Sequence, residues 1–485
     1  MRKILLTLIS FVALSALVAC GGSSGSSTPS NPSTGNAVGF SNSNLNGAYV
    51  FSGSGVNSAN YNFDLLGVFT ADGNGNVTSG YRNVYTDKPT TVQESVTGTY
   101  SVNTDGRGQL ILNGNSGQGV YRFVMQSPST ASFFQFSSGA DDTGRIQLQS
   151  TVAAPAGTYV VRLQGEDSSQ NVYGAVGGIT ISGTTITGTV DQNDDGTLSA
   201  QLATSGSLTA PDSTGKGTLT LTLGNVTHHF TYYVVSSNHI ELIGTDGYAL
   251  NGYADIQTSV AGTTAAFSGD QVFSMSGQGS NGSLLETGRL TLDGAGNVTN
   301  AIEDYTQGAT TGSYFGAVAF SGTYTAAANG RWTATIGGSL ASNLIGWQVS
   351  PQQSVVLAWN TSSTIVETGT LRAQNTTITT NSITGPYAVN LSGYNYNDLG
   401  YVELGGNFDA SAGSLSGTID SQTPGYYNTD VAASGQYSIA ANGRSPNGNV
   451  AGVAVVIYTV DANTAYLISS DPTRLYQGKM VSQQP

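Results

Sequence analysis

Between residues 218 and 223 the chain reads Thr-Leu-Thr-Leu-Thr-Leu, an unbroken alternation of polar and apolar positions. Successive side chains of an extended strand point to opposite faces, so a period of two predicts a strand with one buried face. The same alternation runs along most of the chain, interrupted by turn signals. Residues 67–80, GVFTADGNGNVTSG, read as a strand, a tight Asp-Gly/Asn-Gly turn and a second strand; such turn residues tolerate the positive φ that hairpin turns require. A near copy, LTLDGAGNVTN, stands at 290–300, with degenerate copies at 177–190 and 408–419. In the first copy about eight strands are predicted, near 48–54, 63–71, 75–85, 95–103, 107–113, 119–126, 130–137 and 144–150. Outside the N-terminal segment no 3.6-residue period stands out.

Three landmarks recur in the same order in all four copies. A Gly opens an aromatic or apolar strand at Gly47, Gly157, Gly269 and Gly385. A mid-repeat strand and turn follow: Gly98-Thr99-Tyr100 with Gly106-Arg107, Gly206-Ser207-Leu208 with Gly215-Lys216, Gly322-Thr323-Tyr324 with Gly330-Arg331, and Gly435-Gln436-Tyr437 with Gly443-Arg444. A closing strand is spelled Gly-x4-Gln, ending at Gln149, Gln257, Gln374 and Gln483. A fixed spacing of this kind marks a repeat array. The organisation expected is a leader over 1–19, a flexible tether over 20–44, and all-β repeats over 45–150, 154–258, 264–375 and 380–484.

Eight sequential antiparallel strands leave two exposed edges unless the sheet closes, and closure into an up-and-down barrel removes both. The fold class expected is therefore all-β, with four tandem antiparallel repeats, each a small eight-stranded barrel; β-sandwiches and pairs of propeller blades are the alternatives. An opening Gly-x-Tyr, with a base on the closing strand (Arg145, Arg372, Lys479), resembles the calycin barrels, lipocalins and avidins, in which a Gly-x-Trp of the first strand packs against such a base. That resemblance implies Tyr-on-cation packing; repeat three departs from it with Gln271 and repeat two with Tyr253. The inward positions are large (Tyr49, Phe51, Tyr121, Phe123, Leu219, Leu221, Leu223), so filled barrels rather than ligand cups are expected.

The N-terminus carries an address. Arg2 and Lys3 precede an apolar run, residues 4–17, too short for a spanning helix. Leu17-Val18-Ala19-Cys20 then resembles the lipobox of bacterial lipoproteins, which implies lipidation of Cys20 and attachment to a membrane through it. Cys20 is the chain's one cysteine, so a mature chain has no internal disulfide. Gly21 follows rather than the Asp that retains lipoproteins at the inner membrane, and the resemblance therefore implies the outer membrane. Residues 21–44 are rich in Ser, Gly and Pro; as a flexible coil they would span roughly 27 Å r.m.s..

Charged residues are only 9% of the chain, against roughly a quarter in ordinary soluble proteins. Hydroxyl and amide side chains fill the solvated faces instead. Net charge is −14 with 15 Lys and Arg, and no run of them forms the basic stripe that nucleic-acid binding needs. Such a surface suits a neutral or cationic partner.

Candidate chemistry is sparse. His228 and His229 are adjacent on one strand and point to opposite faces; His239 follows the next turn. Asp191, Asn193 and Asp195 begin like a calcium loop, but Leu202 stands where a bidentate Glu belongs, so a polar turn at a strand end is expected and calcium is the alternative. Asp72, Asn74 and Asn76, like Asp293 and Asn297, are expected to be hairpin-turn residues. Trp332, Trp347 and Trp359 all fall in repeat three and are expected to plug its core. No catalytic residue and no cofactor are expected.

These features predict a lipid-anchored envelope protein whose repeats bind a polysaccharide or a surface protein. A structural stalk is the alternative, and a small-ligand carrier or an enzyme is further off. If Cys20 carries the lipid, Cys20→Ala abolishes lipid labelling and signal-peptidase II processing and moves the protein out of the membrane fraction. Unchanged mature mass and membrane retention would refute the address.

Overall fold

The computed structural model describes residues 38–57, 62–86, 92–137, 140–361, 364–375 and 377–485. The leader, Cys20 and most of the tether lie outside the described residues. The described residues form one compact unit, and no helix among them is long and apolar enough to cross a membrane.

The chain forms four closed antiparallel sheets in tandem. The second, third and fourth are eight-stranded barrels built in chain order, over Gly157–Ile256, Gly269–Ala373 and Gly385–Ser482. The first closes in the same way, the strand Asn62–Asp72 pairing with both Asn46–Asn57 and Asn76–Thr86. Its fourth strand is split at Val96 into Val92–Ser95 and Thr97–Val102. Each barrel has its own apolar interior, and all seven large side chains read as inward-facing lie in those interiors. The barrels are filled. The hairpin of residues 67–80 turns through Gly73 and Gly75 at φ of 78° and 103°, with Asp72 Oδ1 accepting the N–H groups of Asn74 and Asn76 at 2.7 and 3.0 Å.

One end of a barrel is stoppered by the segment that leads into it. The last residues of the expected tether depart from flexibility here. The N–H groups of Val38 and Gly39 bond Thr104 O at 2.8 and 3.0 Å, Phe40 is buried in the first core, and Tyr100 donates to Leu45 O at 2.7 Å. Phe267 with Tyr324, and Ile383 with Tyr437, repeat the arrangement in the third and fourth barrels. The landmark tyrosine thus holds the stopper; where it is Leu208, no such bond can form.

The barrels make a closed ring rather than a string of independent beads. The Gln that ends each closing strand reaches into the next barrel and donates to two backbone carbonyls: Gln149 to Thr214 and Val234, Gln257 to Asn329 and Gln348, Gln374 to Asn442 and Thr459. Gln483 of the fourth barrel makes the same pair of bonds to Asp105 and Met125 of the first, at 3.0 and 2.7 Å. The residue after each Gln adds a backbone bond, Ser150 N to Val235 O, Thr258 N to Val349 O, Asn375 N to Val460 O and Gln484 N to Gln126 O, all within 2.7–2.9 Å.

At three of the four joints the landmark arginine returns the contact. Arg331 grips buried Asp191 of the preceding barrel with two bonds of 2.8 and 2.9 Å. Arg444 grips Asp304 at 2.6 and 2.8 Å, and Arg107 bonds Asp420 at 2.9 Å. Each of these aspartates also accepts the N–H of a bulged residue with φ near +55°, Gln201, Ala317 or Asp430. Between the first and second barrels no arginine–aspartate grip forms at this place: Asn83 donates to Tyr233 Oη at 3.1 Å, and Lys216 sits 4.0 Å over the Tyr81 ring. Apolar outer faces complete the joints, Val50, Leu66 and Val68 against Tyr233 and Ile243, and Val160 and Val176 against Trp347 and Leu357. Gly178 lets the second barrel approach the third, since a Cβ there would stand 2.6 Å from the Trp347 ring.

Two outcomes follow. Arg331→Met strands the Asp191 carboxylate in a buried joint, which costs about 3–5 kcal/mol and lowers Tm; an unchanged Tm would show that the joint does not carry stability. The second concerns Glu286, Glu303 and Glu367, which face the inside of the third barrel and are buried. Burial, then the charge of Glu286, raises Glu303 to about 10, burial raises Glu367 to about 8, and Glu286 lies well above its ordinary value for the same reasons. The folded protein therefore binds more protons than the unfolded chain between the ordinary carboxylate range and pH 8, so stability falls as pH rises through that window. Calorimetry should give a higher Tm at pH 5.5 than at pH 8, and Glu303→Gln should flatten the difference; a Tm that rises with pH would refute this.

Candidate functional site

Ring closure leaves a space on the axis, where the outer faces of first and closing strands of all four barrels meet. Three adjoining cavities there share Ser54, and two of them also share Thr143, Arg162 and Lys479. The largest is about 640 Å³, within the range of small-molecule sites, roughly 300–1,000 Å³.

Alternation on the strands decides what faces it. On the first closing strand Ile146 and Leu148 pair with Phe51 and Tyr49 on the core side, which turns Arg145 outward opposite Ser52. Lys479 lies opposite Asn390 by the same register, and Arg162 opposite Tyr253. The calycin-like packing of Tyr49 against Arg145 is therefore not made: Tyr49 donates to Pro128 O at 2.9 Å within its own barrel. Arg145 instead crosses to the second barrel, 2.8 Å from Glu241 and 4.8 Å from the Tyr253 ring centre.

Arg145, Arg162, Arg372 and Lys479 all line the largest cavity. Arg162 bonds the neutral oxygens of Gln164 and Thr368 and has no ion-pair partner among the described residues. Arg372 and Lys479 have no hydrogen-bond or ion-pair partner among the described residues. Lys479 is exposed, but to the water of a cavity walled by protein. Removal from bulk solvent, then the charges of Arg145 and Arg372, lower it to about 8. His239 is fixed between Asp255, at 2.6 Å from Nδ1, and Glu241, at 2.8 Å from Nε2. Burial opposes its charge, but the two carboxylates outweigh burial and raise it to about 9. Glu241, which burial would raise, is brought to about 2 by Arg145 and His239. At neutral pH four cationic side chains and an imidazolium thus face two carboxylates. In an anionic chain of net charge −14 the largest cavity holds an excess of cations, while the adjoining ones add the carboxyl groups of Asp64, Asp141, Glu166 and Glu403. The expectation of a neutral or cationic partner, read from net charge, does not describe this cavity.

The calcium candidates lie elsewhere, in the joint between second and third barrels. Asp191 is held by Arg331 and by Trp347 Nε1 at 2.9 Å. Asn193 donates to Ala358 O and Ile365 O of the third barrel at 3.1 and 2.8 Å, and Asp195 occupies the following turn at φ 48°. Among the tryptophans, Trp332 fills the third core as expected, whereas Trp347 belongs to the joint and Trp359 is half-buried at a strand end. His228 is buried among Tyr173 and Tyr248 inside the second barrel, and His229 is exposed. The missed residues are the cavity cations, spaced a hundred or more positions apart with no motif to join them. Unbroken buried runs, such as residues 230–235, are the signal that outer walls are covered too.

No protein-family model matches the chain, and no curated protein matches it. Among solved structures, it is similar to the isotype 1 transferrin binding protein B from serogroup B Neisseria meningitidis, with 8% identity over 74% of this chain and 82% of that one and a TM-score of 0.18.

Proposed function

We propose that the chain is a cell-envelope binding protein, anchored to the outer membrane by lipid on Cys20, whose ring holds one partner in its axial cavity. The cavity carries this reading. A stalk needs only buried, mutually satisfied joints, and a junction filled with apolar side chains would serve it better than cations that repel one another. Binding through four independent barrels is a poorer fit, because the walls such modules would present are buried in the joints. Catalysis is also a poorer fit. Both nitrogens of His239 are occupied by carboxylates, so its imidazole offers no lone pair to act as a base. The stalk remains the second reading because the repeated buried joints would make the ring a stiff spacer.

The test is a panel of neutral, acidic and basic envelope glycans, scored by thermal shift and by stoichiometry with the full chain. We expect at least one class to bind once per chain and to be excluded by Ser54→Trp, a residue shared by the adjoining cavities. Binding at four equivalent sites would restore the independent-module reading. No binding by any class would leave the stalk.

A further inference from the structure

Resting on the axial cavity as the binding site, we propose that its ligand is a small polyanion on a hydroxylated frame, an acidic oligosaccharide, held by Arg372, Lys479 and Arg162. Three observations converge on it. First, the charges are uncompensated. The chain has 15 Lys and Arg in all, and four of them line this one cavity, yet only Arg145 is matched there by a carboxylate, Glu241 at 2.8 Å. Removing like charges from bulk water and crowding them together is unfavourable unless an anion completes the site. Second, the unmatched groups come from three different barrels, Arg162 from the second, Arg372 from the third and Lys479 from the fourth. They converge from several sides, as a ligand bearing two or more acidic groups requires, whereas a single exposed patch would attract ions without orienting them. Third, hydroxyl and amide groups, Ser52, Thr143, Gln147, Gln353 and Asn390 among them, make up much of the remaining wall, with the rings of Tyr253 and Tyr466 and a smaller apolar share. Neutral donors and acceptors beside an aromatic face are what the hydroxyls and faces of a sugar meet in a site.

The charged groups facing Lys479 set the pH dependence. Arg145, Arg162 and Arg372 face it across the largest cavity, where Glu241 and Asp255 are engaged by His239, and Asp141 and Glu403, both raised by burial, line the adjoining cavity that Lys479 shares. Lys479 loses its proton near 8 and His239 near 9. Affinity for an anion therefore falls as pH rises from 7 to 9.5, and binding at pH 8 takes up protons because the anion restores Lys479 to its charged form.

The experiment is calorimetric titration of the full chain with trigalacturonate, tripolyphosphate and maltotriose in low salt. Trigalacturonate should bind once per chain, weaken with salt and with pH above 8, and lose about tenfold or more in Arg372→Gln and again in Lys479→Gln. Neither side chain has a bonding partner to lose, and matching Tm values would show that both variants fold. Equal binding of maltotriose, unaffected by the two substitutions, would overturn the charge assignment while leaving the cavity a binding site. Binding of tripolyphosphate alone would overturn the saccharide frame. If neither anion binds although Ser54→Trp blocks another glycan of the wider panel, the anion inference fails and the function stands; if Ser54→Trp blocks nothing, both fail.

Discussion

The arrangement depends on one exchange, made at every joint: a glutamine passed forward and a cation or its substitute passed back. Each element solves a problem of the other. The forward Gln satisfies carbonyls beside the turn that carries the returning cation. In three joints the returning arginine neutralises an aspartate that would otherwise be a bare charge in a buried place, as Arg444 does for Asp304. The aspartate in turn secures a bulge whose left-handed residue is uncommon outside glycine. Break one partner and the others become unsatisfied buried groups, which is the expensive outcome for polar interactions.

Much of the fold was legible because barrel interiors obey a local rule. Period-two alternation at Thr218–Leu223, Asp-Gly turns and a constant order of landmarks specify strands, hairpins and closure without reference to distant residues. The joints were not legible, although their residues were in plain view. Gly330-Arg331 and the Gln257 ending were read as turn and strand markers, but their recurrence reflects a partner in another barrel. Arg331 meets Asp191 across 140 positions, and no spacing within a repeat encodes that. The Asp191 run looked like calcium chemistry for the same reason: oxygens clustered to receive a charge, but the charge comes from an arginine.

The cavity was hidden by averaging. Net charge describes what a distant ion senses, whereas a ligand on the axis senses only the few groups around it. Arg145, Arg162, Arg372 and Lys479 are dispersed in sequence and collected by topology: each occupies an outward position on the first or closing strand, and the ring turns those strands to the centre. A mostly acidic chain thereby acquires one cavity rich in cations, in which Glu241 is shared between Arg145 and His239 and no carboxylate is left for Arg162, Arg372 or Lys479.

In the language of assembly, each joint is heterologous: the surface that one barrel offers differs from the surface its neighbour offers back. Such contacts generate open filaments unless the rotation per step closes, and here it closes after four. A single barrel bearing both an arginine turn and an aspartate bulge already holds both halves of the contact, so it has the makings of a protomer for a cyclic homotetramer. Joining the four copies in one chain relaxes the symmetry that a tetramer would enforce. One position can then change without its three equivalents, which permits a joint without the arginine–aspartate pair between the first and second barrels, three glutamates inside the third, and a cavity whose walls need not repeat.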